Sequence, residues 1–115
     1  MDKSDQELVE LLTLTVNVNE RGTTIYRNHL GQFHRVHGPA VIATRGQWWY
    51  RNGLLHRDHG PAVILDSGRN AWFRNGARHR SDGPAIEYTD GGECEWWLND
   101  QTLTEVEFNE RVKSV

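Results

Sequence analysis

The chain has 115 residues, of which 37% are hydrophobic, a mean hydropathy of −0.73 and a formal net charge of −3. That length suits one small domain with too little apolar material for a large globular core, while five Trp, three Tyr and three Phe exclude a chain disordered by composition, in which aromatics are scarce. No apolar run reaches membrane-spanning length, and the single cysteine, Cys94, forms neither an intramolecular disulfide nor a zinc-thiolate cluster by itself.

Charge is unevenly spread. Residues 1–20 hold one Lys against five acids, residues 21–80 ten Arg against Asp58 and Asp66, and residues 81–115 nine acids against Arg111 and Lys113. A basic middle between acidic ends suits either an anionic partner or self-neutralisation within the chain or a dimer. Met1 is followed by Asp2, Ser4, Asp5 and Glu7, unlike a secretory leader, so a cytoplasmic protein is expected.

At the N-terminus, Ser4 with Glu7 three residues later predicts a short helix over residues 4–11. Residues 12–19 then alternate with period two, placing Leu12, Leu14, Val16 and Val18 on one side, the pattern of a half-buried strand. Glu20-Arg21-Gly22 turns this strand toward Thr24-Ile25-Tyr26.

From there the chain repeats itself. HRVHGPAVI at 34–42, HRDHGPAVI at 56–64 and HRSDGPAIE at 79–87 place Gly38, Gly60 and Gly83 at steps of 22 and 23 residues, each followed by one of the three prolines. Each of these glycines is preceded by His at minus four and Arg at minus three, and aromatics lead into each unit at Trp48-Trp49-Tyr50, Trp72-Phe73 and Trp96-Trp97. Asn52-Gly53 and Asn75-Gly76 have the chemistry of two-residue type I′ hairpin turns, where both positions need φ > 0. Such a turn sets Arg51 opposite Leu54, Tyr50 opposite Leu55, Trp49 opposite His56 and Trp72 opposite His79, so the repeated His is expected to pack on the repeated Trp. The Gly-Pro step interrupts the ladder because proline has no N–H to give. Ala62-Val63-Ile64-Leu65 resumes an extended strand, and second turns follow at Thr44-Arg45-Gly46, Asp66-Ser67-Gly68 and Asp90-Gly91-Gly92. The distance from the repeat glycine to the next Trp drifts from 11 to 12 to 13 residues, which leaves the register of the second hairpins open. The first unit is degenerate, with Asn28-His29-Leu30-Gly31 in place of Asn-Gly, as terminal repeats commonly are.

At the C-terminus, Thr104 and Glu107 form a capping box, flanked by a Leu103/Phe108 staple, which predicts a helix over 105–113 covering the end of the array. The expected organisation is one domain, 1–115: an N-terminal cap over 1–22, three to four hairpin repeats of about 23 residues over 23–99, and a capping segment over 100–115. The fold class is all-β, an antiparallel hairpin array with a short terminal helix.

These residues carry a resemblance. WWYRNGLLHRDHGPAVI and WFRNGARHRSDGPAIE, with the ending LNDQTLTEVEF at 98–108, resemble the MORN-like repeats of bacteriophage and giant-virus proteins over about residues 25–99. The resemblance implies single-layer antiparallel sheets of successive hairpins and no catalytic residues. Ordinary MORN repeats are spaced differently, so their lipid contacts are not carried over.

The candidate chemistry follows from the slots. Arg51 and Arg74 lie two residues beyond Trp49 and Trp72, and Arg35, Arg57 and Arg80 form a second row. With Trp96 these make an Arg/Trp surface that either binds a partner or anion, or only stabilises the sheet by cation–π packing. His34-x-x-His37 and His56-x-x-His59 have metal-ligand spacing, but a metal needs ligands converging from at least two units, so the expectation is no metal and no cofactor. Cys94 lies between Glu93 and Glu95, which disfavour its thiolate, so no catalytic residue is assigned. Duplex DNA is disfavoured by the acidic ends and the absence of Lys from 4–112. The expected function is a non-enzymatic binding module, a viral accessory protein that inhibits a host defence protein. The alternatives are a protein sequestering an anionic nucleotide through the Arg/Trp rows, and a structural or assembly component. The expected partners are a protein and a second copy of the chain, with no membrane.

Overall fold

The computed structural model describes residues 14–113. The predicted helix over 4–11 and the first two residues of the predicted strand lie outside them.

The fold is mainly β, antiparallel and built from hairpins, with one C-terminal helix. Seven strands make the main sheet: β1 (Thr15–Val18), β2 (Thr24–Arg27), β3 (Val41–Ala43), β4 (Gly46–Trp48), β7 (Val63–Leu65), β8 (Arg69–Ala71) and β11 (Ile86–Tyr88), hydrogen-bonded in that order. The missing numbers form a second row of hairpins: β5 (Tyr50–Arg51) with β6 (Leu54–Leu55), β9 (Phe73–Arg74) with β10 (Ala77–Arg78), and β12 (Trp96–Leu98) with β13 (Gln101–Leu103). One repeat therefore contributes a hairpin to the sheet and then a hairpin to the row.

The turn chemistry accounts for the second row. Asn52 and Gly53 take φ of 50° and 81°, and Asn75 and Gly76 48° and 84°, as a type I′ turn requires. Tyr50 pairs with Leu55 and Arg51 with Leu54, as the sequence predicts. A third such turn stands at Asn99-Asp100, with φ of 48° and 67°; no glycine marks it. Adjacent hairpins are tied by backbone bonds from Gly53 N–H to the Phe33 carbonyl, Gly76 N–H to the Leu55 carbonyl and Asp100 N–H to the Arg78 carbonyl.

The register of the sheet hairpins follows the tryptophans. The residue three after the repeat glycine pairs with the residue just before Trp49, Trp72 or Trp96: Val41 with Trp48, Val63 with Ala71, Ile86 with Glu95. The drift from 11 to 13 residues is absorbed wholly in the solvent-exposed turns, because the pairing that must be kept lies at the buried end. The alanine of each Gly-Pro-Ala is fully buried there, at Ala40, Ala62 and Ala85. Tyr26, Trp49 and Trp72 donate their N–H to those three alanine carbonyls, which joins the two rows along a seam.

The core is small and sits between the rows. Val63, Ala71 and Ile86 of the sheet pack against Leu55, Phe73 and Trp97 of the hairpins. The first unit closes differently. The Asn28 side chain is buried, its Oδ1 accepts the Leu30 and Gln32 N–H groups, and its Nδ2 donates to Gln32 and to Asn52 of the next unit. One asparagine thus replaces the tight turn and links it onward.

Strand β1 departs from expectation. Its alternation predicts one buried face, yet Val16 and Val18 are 51% and 66% exposed. The strand is the outermost of the sheet among the described residues and pairs only with β2. Alternation reports which residues share a face; nothing in it says that another element lies on that face. The terminal helix, α1 (Glu105–Lys113), spans the predicted residues. Thr104 Oγ1 accepts the Glu107 N–H and Glu107 Oε1 accepts the Thr104 N–H, which is the capping box, and Phe108 is buried where the helix meets β12 and β13.

Candidate functional site

The H-R-x-x-G-P loops lie where the chain returns from the hairpin row to the sheet. Their arginines are held from several sides. Arg35, Arg57 and Arg80 stack on the rings of Tyr26, Trp49 and Trp72, with guanidinium carbons 4.0, 4.0 and 3.9 Å from the ring centroids. Each also donates from Nη1 to the carbonyl of the loop proline, Pro39, Pro61 or Pro84, at 3.3, 3.0 and 3.1 Å. The other face of each guanidinium lies on the repeat glycine: a Cβ added at Gly38, Gly60 or Gly83 would come within 2.8, 2.9 and 2.9 Å of the guanidinium carbon. Aromatic, Arg, Gly and Pro are thus four parts of one lock. Burial pulls the Arg57 pKa below its ordinary value, though guanidinium stays charged in proteins.

The histidines form a second device. The backbone N–H groups of Asn52, Asn75 and Asn99 donate to Nδ1 of His34, His56 and His79, at 2.9, 3.0 and 3.1 Å. Each histidine therefore clasps the turn of the next unit, 18 to 20 residues on. The backbone of His56 does face Trp49, donating to its carbonyl at 3.0 Å, as the hairpin geometry predicts. The group stacked on the Trp49 ring, however, is the Arg57 guanidinium, and the imidazole is turned to Asn75 of the neighbouring repeat. His56 is buried, and its Nε2 lies 2.8 Å from Asp58, so both ring nitrogens are occupied within the protein.

A histidine that accepts through Nδ1 carries its proton on Nε2 and must be neutral. For His79, burial first and the Arg74 charge second push the pKa below its ordinary value. With the native pKa below the unfolded value of about 6.5, the unfolded chain takes up this proton first as pH falls. The His79 contribution is therefore complete above about pH 6.5 and is lost as pH falls from there toward the native pKa. Urea unfolding between about pH 8 and about pH 5.5 checks this: the midpoint is expected to fall on acidification, and less so in His79→Gln. The carboxylates of Asp58 and Asp82 are held below their ordinary values chiefly by hydrogen bonds from His56 and Arg80. Their contributions are present above about pH 4 and lost only below it, which separates them from the His79 effect.

Between successive loops lie two open clefts. One, of about 440 Å³, is bounded by the 35–38 loop and contains Arg51, His56 and Asp58. The other, of about 700 Å³, lies between the 57–60 and 79–82 segments and contains Arg74, His79 and Ser81. Arg51 is paired through Nη2 with Asp58 at 3.3 Å. Arg74, its counterpart in the next unit, is exposed and makes no ion pair with a described residue.

Of the surface expected from the sequence, Arg35, Arg57, Arg80, Trp49 and Trp72 come together in the three locks. Arg51 and Arg74 stand apart in the clefts, and Trp96 faces Leu103 in the last hairpin. The aromatic of a unit meets the Arg eight or nine residues later, so the Trp and second Arg row interleave. Sequence reasoning missed Tyr26 as the first stacking ring, Arg78, which lies over Trp97 at 4.8 Å, and Asp58. Tyr26 was legible, since it holds the Trp49 slot nine residues before Arg35. Among the described residues no group of three or more His, Cys, Asp or Glu side chains is placed to hold a metal, and no helix is long and apolar enough to cross a membrane. Set against known proteins, the chain matches no family model, no curated protein and no solved structure.

Proposed function

We propose that this chain is a non-enzymatic, MORN-like repeat module that recognises a protein partner through the crests of its H-R-x-x-G-P loops. One observation carries this: the residues the repeat keeps hold it together, and the positions it varies stand exposed, including Asp58 and Asp82, which also bond within the repeat. The kept residues are engaged in locks and clasps. The two varied positions of each loop, Val36-His37, Asp58-His59 and Ser81-Asp82, are all exposed. They recur two strands apart, about every 10 Å along the sheet, and differ in chemistry from unit to unit. A constant frame with a variable exposed row is how repeat proteins carry specificity. The resemblance to viral repeat chains favours a host defence protein as the partner and inhibition as the outcome.

Sequestering a nucleotide through the Arg35, Arg57 and Arg80 row is less favoured, because these guanidiniums would have to leave their rings and proline carbonyls. The experiment is site-specific photo-cross-linking in host lysate, with the cross-linker at His59 or Ser81 and, as a control, at Ser67 in a sheet turn. The same protein captured from both crest positions and not from Ser67 is expected. Equal capture from Ser67, or none from the crests, would overturn the proposal.

A further inference from the structure

We infer that the cleft holding Arg74, His79 and Ser81 is a binding site for an oxyanion, a carboxylate or phosphate group, whose place the preceding repeat fills with a carboxylate of its own. The repeat supplies its own comparison. In the preceding unit Asp58 accepts from Arg51 Nη2 at 3.3 Å and lies 2.8 Å from His56 Nε2, so one carboxylate satisfies an arginine and a histidine together. In the next unit the arginine and histidine recur as Arg74 and His79, and the residue in the Asp58 slot is Ser81. All three line the larger cleft. His79 keeps its clasp on Asn99 through Nδ1, which directs its Nε2–H away from that bond, as in His56. Arg74 is exposed and has no ion pair with a described residue.

Among the described residues, the carboxylates near this cleft are bonded elsewhere. Asp82, in the same loop, points to Arg80, with Oδ1 accepting from Nε at 2.8 Å, and Glu87 is also bonded to Arg80. Asp58 is held by Arg51 and His56. Arg57, on the opposite wall, faces its own proline carbonyl and ring. The cleft is left with an uncompensated arginine beside an N–H donor and the Ser81 hydroxyl, three donors suited to one oxyanion. Arg74 and His79 line the same cleft, in the slots that Arg51 and His56 hold around Asp58 in the preceding unit. This site stands apart from the crest reading, since it needs a small anion and no protein.

The test uses the intact chain, titrated with sodium phosphate and, separately, sodium acetate at an ionic strength held constant with sodium chloride. The His79 imidazole is followed by NMR. A bound oxyanion raises the His79 pKa relative to chloride alone, and the arm that does so identifies phosphate or carboxylate chemistry. Arg74→Gln should weaken the effect about tenfold or more. Ser81→Asp should abolish it and raise the melting temperature, because the variant restores the internal carboxylate of the preceding unit. Failure of both anions to move His79, or a shift that survives in Ser81→Asp, overturns the site. The crest proposal is untouched by either failure, as it is read from cross-linking alone.

Discussion

Trp49→Ala is expected to destabilise the protein by about 3–5 kcal/mol, the range for removing a buried tryptophan. Trp49 is 8% exposed, its ring carries the Arg57 guanidinium, and it stands at the seam, where its N–H bond to the Ala62 carbonyl joins the two rows. Removing the ring leaves a cavity at the seam and strips Arg57 of one of its two covering surfaces. Since small domains are stable by only about 5–15 kcal/mol, a large fraction of the total is at stake. Urea unfolding followed by far-UV circular dichroism measures it. Trp49→Phe should recover part of the loss, because it keeps a ring beneath the guanidinium. A loss under about 1 kcal/mol for the alanine variant would show that the stack ornaments the fold without holding it.

The second large effect concerns the fit of arginine on glycine. Arg57→Ala removes a cation–π contact of about 0.5–2 kcal/mol and a charge-assisted bond of about 1.5–3 kcal/mol, for an expected loss of about 2–5 kcal/mol. Gly60→Ala expels the same guanidinium and, at a φ of 143°, adds backbone strain of about 1–3 kcal/mol. Gly83 has the same close approach to Arg80 without a positive φ. Gly83→Ala should therefore be the milder glycine variant, and its cost should largely vanish in an Arg80→Ala background. A double-mutant cycle reads this as a coupling of about 1–3 kcal/mol. Additive losses would mean that the two residues do not share one lock.

Both expectations follow from a repeat whose conserved spelling is structural. That assignment also narrows where function can lie. In a ladder of locks, the proposed recognition is assigned to positions that the locks leave open: the crests, and the cleft at Arg74, where the carboxylate of the preceding unit is replaced by Ser81.

Much of the architecture could be read from the residues. Asn-Gly pairs dictate type I′ turns because few other residues reach φ > 0 at both positions, and the turns set the pairing of Tyr50 with Leu55. The capping box at Thr104 and Glu107 places the helix start through local hydrogen bonds alone. The candidate site was less legible. The backbone of His56 follows the hairpin, bonding to the Trp49 carbonyl, but the hairpin does not dictate which neighbours the His56 and Arg57 side chains meet. Their partners are a turn 19 residues onward and a ring eight residues back.

What the sequence by itself determined, then, is the local geometry: turns, strand breaks, cap and the period that joins them, all governed by backbone preferences within a few residues. Only the tertiary structure decided which side chain meets which between repeats, how the drifting turn lengths keep one register, and that the alternating β1 is exposed and outermost among the described strands. Those outcomes depend on the stacking of one unit on the next, where burial of the alanine seam outweighs any preference of an isolated segment.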